Sequence, residues 1–190
     1  MKKGARRRRG QFPALTVSVP ALLTNGTDAE FRQLVDKLLL FAMQIQNVRQ
    51  SLSAAMGVTQ PQYNILMVIA HEDATTGITV GEMAKRMNVT PSFVVVETNK
   101  LVGMGLLHKQ PSNIDRRRID LHLSDKAILL TTKIGPLQRS VNDSLFGNLS
   151  ARDFRALVSI IDKLVASYGP ALAAAQAHSM PLSTKLRIAK

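Results

Sequence analysis

Two groups of residues have the types and spacing for chemistry on a polyanion. The first is Thr90, Pro91, Ser92, Val95, Val96, Asn99 and Lys100. Thr90 and Pro91 suit a helix start, and helical steps of three and four then put Ser92, Val95, Val96, Asn99 and Lys100 on the side away from Val94 and Leu101. That side is equipped to read a DNA major groove: Asn pairs with adenine through two hydrogen bonds, Ser donates or accepts, and Val presses on a thymine methyl. Lys100 is its only cation, so phosphate attraction must come from other residues. Asp115, Arg116, Arg117 and Arg118 supply it as a basic loop tip, in which Asp115 holds one arginine extended. An arginine placed in a minor groove gains from the negative potential focused there. Lys85, Arg86 and an N-terminal run of Arg6, Arg7, Arg8 and Arg9 add further positive charge.

Other chemistries lack their residues. The four histidines, His71, His108, His122 and His178, fall in no metal-ligand spacing and read as surface or cap residues, with His122 on the outward side of a strand. No glycine-rich phosphate loop and no nucleophile elbow is present, so neither catalysis nor a cofactor is expected. The absence of cysteine removes disulfides, thiolate metal sites and thiol redox sensing together. No uncharged apolar run reaches the roughly 18 residues of a membrane span. The apolar stretch 12–23 is broken by Pro13 and Pro20, unlike a signal peptide. A cytoplasmic protein is expected.

The charge is unevenly spread over the 190 residues. Of a net +12, nine charges lie in two tails without acids: six in residues 1–27 and three in 179–190. The body between them is almost balanced, at +3. Tails of this kind point to a polyanion partner, against the plainer reading of a solubility aid.

The elements that must position these groups are mostly helical. From Thr27 to Leu52, Phe31, Leu34, Leu38, Phe41, Ile45 and Val48 form a sustained apolar stripe, with Thr27 and Glu30 spaced as a capping box. A second helix runs from about Thr59 to His71, with Tyr63, Leu66, Met67 and Ala70 on one face. A short helix capped by Thr79 and Glu82, a turn at Asn88 and Val89, and a helix packing through Val94, Thr98 and Leu101 to a stop at Gly105 give a helix-turn-helix. Strands at 106–110 and 118–123 enclose the basic tip as a β-hairpin wing, with Ile119, Leu121 and Leu123 alternating against Asp120 and His122. A long helix from Ser124 to Phe146 should kink or break at Pro136. A last helix, capped by Ser150 and Asp153, carries the stripe Phe154, Leu157, Ile161, Leu164 and Tyr168 and ends at Gly169 and Pro170.

Three segments resemble the MarR family of winged helix-turn-helix transcription regulators. They are residues 58–66, residues 80–107, and the run Asp115-Arg116-Arg117-Arg118-Ile119-Asp120-Leu121-His122-Leu123-Ser124, which is similar to the family's wing motif. The resemblance spans roughly residues 28–170. It implies a mainly α fold with a small β-hairpin wing and a dimer built from terminal helices. It also implies a palindromic double-stranded DNA operator and a repressor released by a small molecule. Val96 departs from the pattern, since many members carry a DNA-reaching arginine there, and without cysteine the peroxide-sensing branch is excluded.

The expected organisation is then a basic mobile arm (1–27), a dimerisation helix (28–57), a winged helix-turn-helix lobe (58–123), dimerisation helices (124–178) and a basic tail (179–190). The resemblance also implies an effector cavity where the first, second and fifth helices meet, lined by Ile45, Arg49, Tyr63 and Met67. There Arg49 would pair with the carboxylate of an aromatic acid or acyl conjugate, or simply make an ion pair within the protein. A winged-helix protein–protein interaction module and a small-molecule sensor without DNA binding are the alternatives.

Overall fold

A computed structural model of the chain describes residues 14–72, 77–112 and 118–177. The elements follow in the order α1 (Ala29–Ala55), α2 (Gln60–Ala70), β1 (Ile78–Thr79), α3 (Val80–Met87), α4 (Pro91–Gly103), β2 (Leu107–Pro111), β3 (Ile119–Leu123), α5 (Asp125–Phe146), α6 (Ala151–Ala166) and α7 (Tyr168–Ala177). The chain divides into two units, 1–138 and 139–190.

In the first unit, the lobe from α2 to β3 has a closed apolar core. Tyr63, Ile65 and Leu66 from α2, Met83 from α3, Val94 and Leu101 from α4, and Leu107 and Leu121 from the sheet are all buried. Each such side chain contributes about 1.5–3 kcal/mol relative to exposure. Local signals fix where the helices begin and end. Thr59 and Thr79 close full capping boxes with Gln62 and Glu82, and Thr90 accepts from the Phe93 N–H with Pro91 in the first turn. Asn88 takes the left-handed conformation between α3 and α4. Gly105, at φ +68°, ends α4 by letting the Gly105 and Leu106 amides return to the Val102 and Leu101 carbonyls.

The sheet is antiparallel in the order β1-β3-β2, with Ile78 opposite Leu121 and Leu107 opposite Leu123. The third strand, β1, was not expected: two residues carry no readable alternation. It changes the faces of β3. Asp120 is buried along with Leu121, whereas Ile119 is exposed at the hairpin end. Gly77, at φ +60°, lies so close that a Cβ there would meet the His122 ring at 2.6 Å and the Asp120 Cβ at 2.9 Å. His122 is therefore half-buried under Gly77, not outward-facing as the alternation suggested. The wing's base is closed by the Ser112 N–H bonding the Arg118 carbonyl at 2.9 Å.

The start of α1 differs from the expected capping box. Asn25 and Gly26 turn the chain with positive φ, and Thr27 pairs with Thr24 across that turn. Glu30 accepts from the Thr24 hydroxyl instead of capping, and Asp28 becomes the N-cap residue without a capping bond. Its carboxylate is taken by the Thr16 hydroxyl (2.6 Å), the Thr16 N–H (2.7 Å) and Arg32. The Thr16 contacts, more than Arg32, hold the Asp28 carboxyl at about 2, below its ordinary 3.8. Residues 16–27 are thus tied to α1, although the sequence placed them in the arm.

Pro136 does not break α5, which runs unbroken through it. Pro136 is exposed, so water can bond the carbonyl left without its helical partner. In the second unit, Ser150 and Asp153 form the expected capping box of α6, and none of its residues is buried. A single turn residue, Ser167, separates α6 from α7, which takes Gly169 and Pro170 into its first turn. The stretch Ala151–Ala177 is long and apolar enough by length and composition to cross a membrane. Its apolar residues recur at steps of three and four among Arg152, Asp153, Arg155, Asp162 and Lys163, the pattern of a helix with one apolar face.

Candidate nucleic-acid interface

The geometry of α4 separates a packing face from an open face. Val94, Glu97, Thr98 and Leu101 are buried, while Pro91, Ser92, Val95, Val96, Asn99 and Lys100 are exposed together with the cap residue Thr90. The expected set is therefore brought to one surface, and Phe93, not expected there, is also exposed.

Hydrogen bonds decide which of these side chains is free to act. Thr90 and Ser92 hydroxyls lie 3.1 Å apart. Asn99 accepts through Oδ1 from Lys109 Nζ at 2.6 Å, which orients its amide and leaves the NH2 as donor. Lys100 Nζ donates to Glu97 Oε1 at 2.7 Å. Glu97 in turn accepts from Gln62 Nε2 at 3.1 Å, a buried bond between α2 and α4. Glu97, Gln62 and Lys109 were missed by the sequence reading. The spacing of Glu97 and Lys100 at i, i+3 was the one available signal.

At the wing, Arg118 donates from Nη2 to Glu82 Oε1 at 2.7 Å, joining the hairpin base to the first turn of α3. Bonds from the Thr79 hydroxyl and N–H, with Arg118 behind them, hold the Glu82 carboxyl at about 2 instead of 4.5. Asp115, Arg116 and Arg117 lie outside the described residues, as do Arg6, Arg7, Arg8 and Arg9. Lys85 and Arg86 are exposed on α3, with Arg86 bonded to Glu72.

The residues expected to line an effector cavity lie on α1 and α2. Tyr63 and Met67 are buried in the lobe core, Ile45 is half-buried, and Arg49 is exposed and donates to Asn64 Oδ1 at 2.8 Å. Burial raises the Tyr63 phenol pKa, while the Arg49 charge opposes that shift. A cavity of about 220 Å³ lies elsewhere in the lobe, among Ile69, Ala70, Gly77, His122, Ile128 and Thr131.

A tri-helical core, the helix α4 with one open face, and a three-stranded sheet ending in a hairpin define a winged helix-turn-helix. In comparison with known proteins, the model of the MarR family matches residues 56–118, about a third of the chain. The match agrees, over that segment, with the resemblance read from the sequence. A protein assigned to the transcriptional regulation of the hcr operon in Thauera aromatica is 27% identical over 115 residues, covering 60% of this chain and 68% of that one. Among solved structures, the transcription regulator MarR of Oenococcus oeni matches with a TM-score of 0.62 at 19% identity, covering 70% of this chain and 99% of that one. CouR of Rhodococcus jostii, solved with p-coumaroyl-CoA, matches at 0.58 and 15% identity over 69% and 87%. MepR of S. aureus, solved with DNA, matches at 0.58 and 16% identity over 69% and 93%. The structural likenesses establish the winged-helix fold.

Proposed function

We propose that this chain is a DNA-binding transcription regulator that acts as a homodimer on a two-fold symmetric operator and is released by a small molecule. The observation that carries the reading is the division of α4: Val94, Thr98 and Leu101 fix the helix in the lobe while Ser92, Val95, Val96 and Asn99 stand open. In the major groove, the Asn99 NH2 serves as a donor to a base edge, and Val95 and Val96 meet thymine methyls. The wing arginines Arg116 and Arg117 enter the flanking minor groove, and Arg6, Arg7, Arg8 and Arg9 add sequence-tolerant attraction to phosphate. The likeness to MepR, solved with DNA, supports this placement.

Two copies join through α1 and α6. Leu34, Leu39, Leu40 and Met43 of α1 and Phe154, Val158, Leu164 and Val165 of α6 are exposed in the single chain, and a second copy is the natural cover for such stripes. The effector is an aromatic acid or acyl conjugate whose carboxylate pairs with Arg49. The likeness to CouR, solved with an acyl-CoA conjugate, favours the second.

A gel shift on the DNA upstream of the protein's own gene, with competitor DNA, tests the reading. Selective retention is expected, and Asn99→Ala should weaken it by about 1–3 kcal/mol while leaving binding to unrelated DNA unchanged. Retention no better than that of unrelated DNA would favour a protein–protein interaction module instead.

A further inference from the structure

The cation on the open face of α4 is held by a carboxylate that is itself built into the lobe. Glu97 sits on the packing side of α4 with its side chain only 9% exposed, whereas that of Lys100 is 56% exposed. One Glu97 oxygen accepts from Gln62 Nε2 and the other from Lys100 Nζ. Gln62 is fixed in its turn, because its Oε1 caps the Thr59 N–H at 3.1 Å in the first turn of α2. An ordinary surface ion pair is weak because two long side chains must both be immobilised. Here burial and the Gln62 bond have already immobilised the carboxylate, so only the lysine loses freedom.

We infer that Glu97 is a specificity-setting positioning residue: by binding the Lys100 ammonium it withdraws one cation from the open face of α4 and lowers sequence-independent affinity for DNA. The inference rests on the DNA-binding reading above. Binding to any duplex grows with each phosphate that a free cation neutralises, whereas discrimination comes from base-edge contacts. With Lys100 held by Glu97, Ser92, Val95 and Val96 face the groove with its charge withdrawn, and the Lys109 ammonium beside Asn99 is occupied in orienting that amide. A phosphate can recruit Lys100 only by displacing it from Glu97, which leaves a buried carboxylate with one partner fewer.

The test is a salt titration on random-sequence duplex, followed by fluorescence anisotropy, with the full chain and its variants. Glu97→Gln keeps the side-chain volume and an oxygen for Gln62 but gives up the charge that holds Lys100. Its plot of log affinity against log salt should be steeper than that of the unmodified chain by about 0.9 per bound copy, about 1.8 for the proposed dimer, so that the dimer's affinity falls about 12-fold more between 50 and 200 mM salt. Its preference for a selected site over random duplex at low salt should shrink accordingly. Adding Lys100→Gln to that variant should return the slope to its original value. An unchanged slope in Glu97→Gln, or a steeper slope that survives in the double variant, overturns the inference. Should Glu97→Gln not fold, Lys100→Gln alone decides: a slope reduced by well under 0.9 per bound copy agrees, and the full 0.9 per copy of a phosphate-bound lysine contradicts. If the unmodified chain binds no duplex at all, the DNA reading itself falls and takes this inference with it. Binding by the unmodified chain with no change in Glu97→Gln removes this inference alone.

Discussion

The lobe from α2 to β3 and the helix α6 treat their apolar side chains in opposite ways. Ile65, Leu66, Met83, Val94, Leu101 and Leu121 are completely inaccessible in the lobe, whereas Phe154, Ile160, Leu164 and Val165 of α6 each leave about half or more of their surface open. Most of α1 resembles α6: Leu52 and Ser53 near its C-terminal end are its buried residues. Both regions carry apolar stripes at helical spacing, so composition alone does not distinguish them. What separates them is where the complementary surface comes from. The lobe finds it within some sixty residues of chain, and in the proposed dimer α1 and α6 find it in a second copy.

That contrast yields its largest effect in the lobe core. Leu66→Ala should cost about 2–5 kcal/mol, because a fully enclosed side chain leaves a cavity the packed lobe cannot refill. Urea unfolding should show this loss at every protein concentration. Phe154→Ala should instead act through association. With the proposed dimer it weakens self-association by about 2 kcal/mol, so its unfolding midpoint becomes strongly dependent on protein concentration. A Phe154→Ala chain that unfolds like Leu66→Ala, independent of concentration, would erase the distinction between the two regions.

A smaller effect sharpens how the wing is joined to the reading unit. Glu82 has its pKa lowered from 4.5 to about 2, chiefly by Thr79 and then by Arg118. The fold therefore favours the charged carboxylate. Its contribution to stability is complete above about pH 4.5 and fades as the pH falls toward 2. Glu82→Gln should be less stable than the unmodified chain at pH 7, and the two should converge near pH 2. Since Glu82 is half exposed, the difference should be well below that of Leu66→Ala. A gap that persists unchanged at the acid end would mean that packing, not charge, joins Glu82 to Thr79 and Arg118.

How much was legible in the sequence follows the range of the interactions. The caps at Thr79, Thr90 and Ser150 and the stop at Gly105 were readable because each involves bonds between residues a few positions apart. The box expected at Thr27 and Glu30 failed because a longer-range partner, Thr16, captured Asp28 and the Asn25-Gly26 turn drew Thr27 into a bridge. β1 was invisible because two residues acquire a strand only from their partner β3. Within the reading helix, exposure of Ser92, Val95, Val96 and Asn99 followed from periodicity. The burial of Glu97 did not, since it depends on Gln62 in another helix. The anchoring of Asn99 by Lys109 was likewise hidden, since it needs the chain to turn back at Gly105 and lay β2 against α4.

In the proposed dimer, two copies of α4 read one duplex. A hydroxyl-radical footprint on the DNA that the chain retains most selectively tests it directly. The expected footprint is two protected segments of equal strength, related by two-fold symmetry and centred about one helical turn apart, roughly 34 Å. A single protected segment, or two without that symmetry, would contradict it.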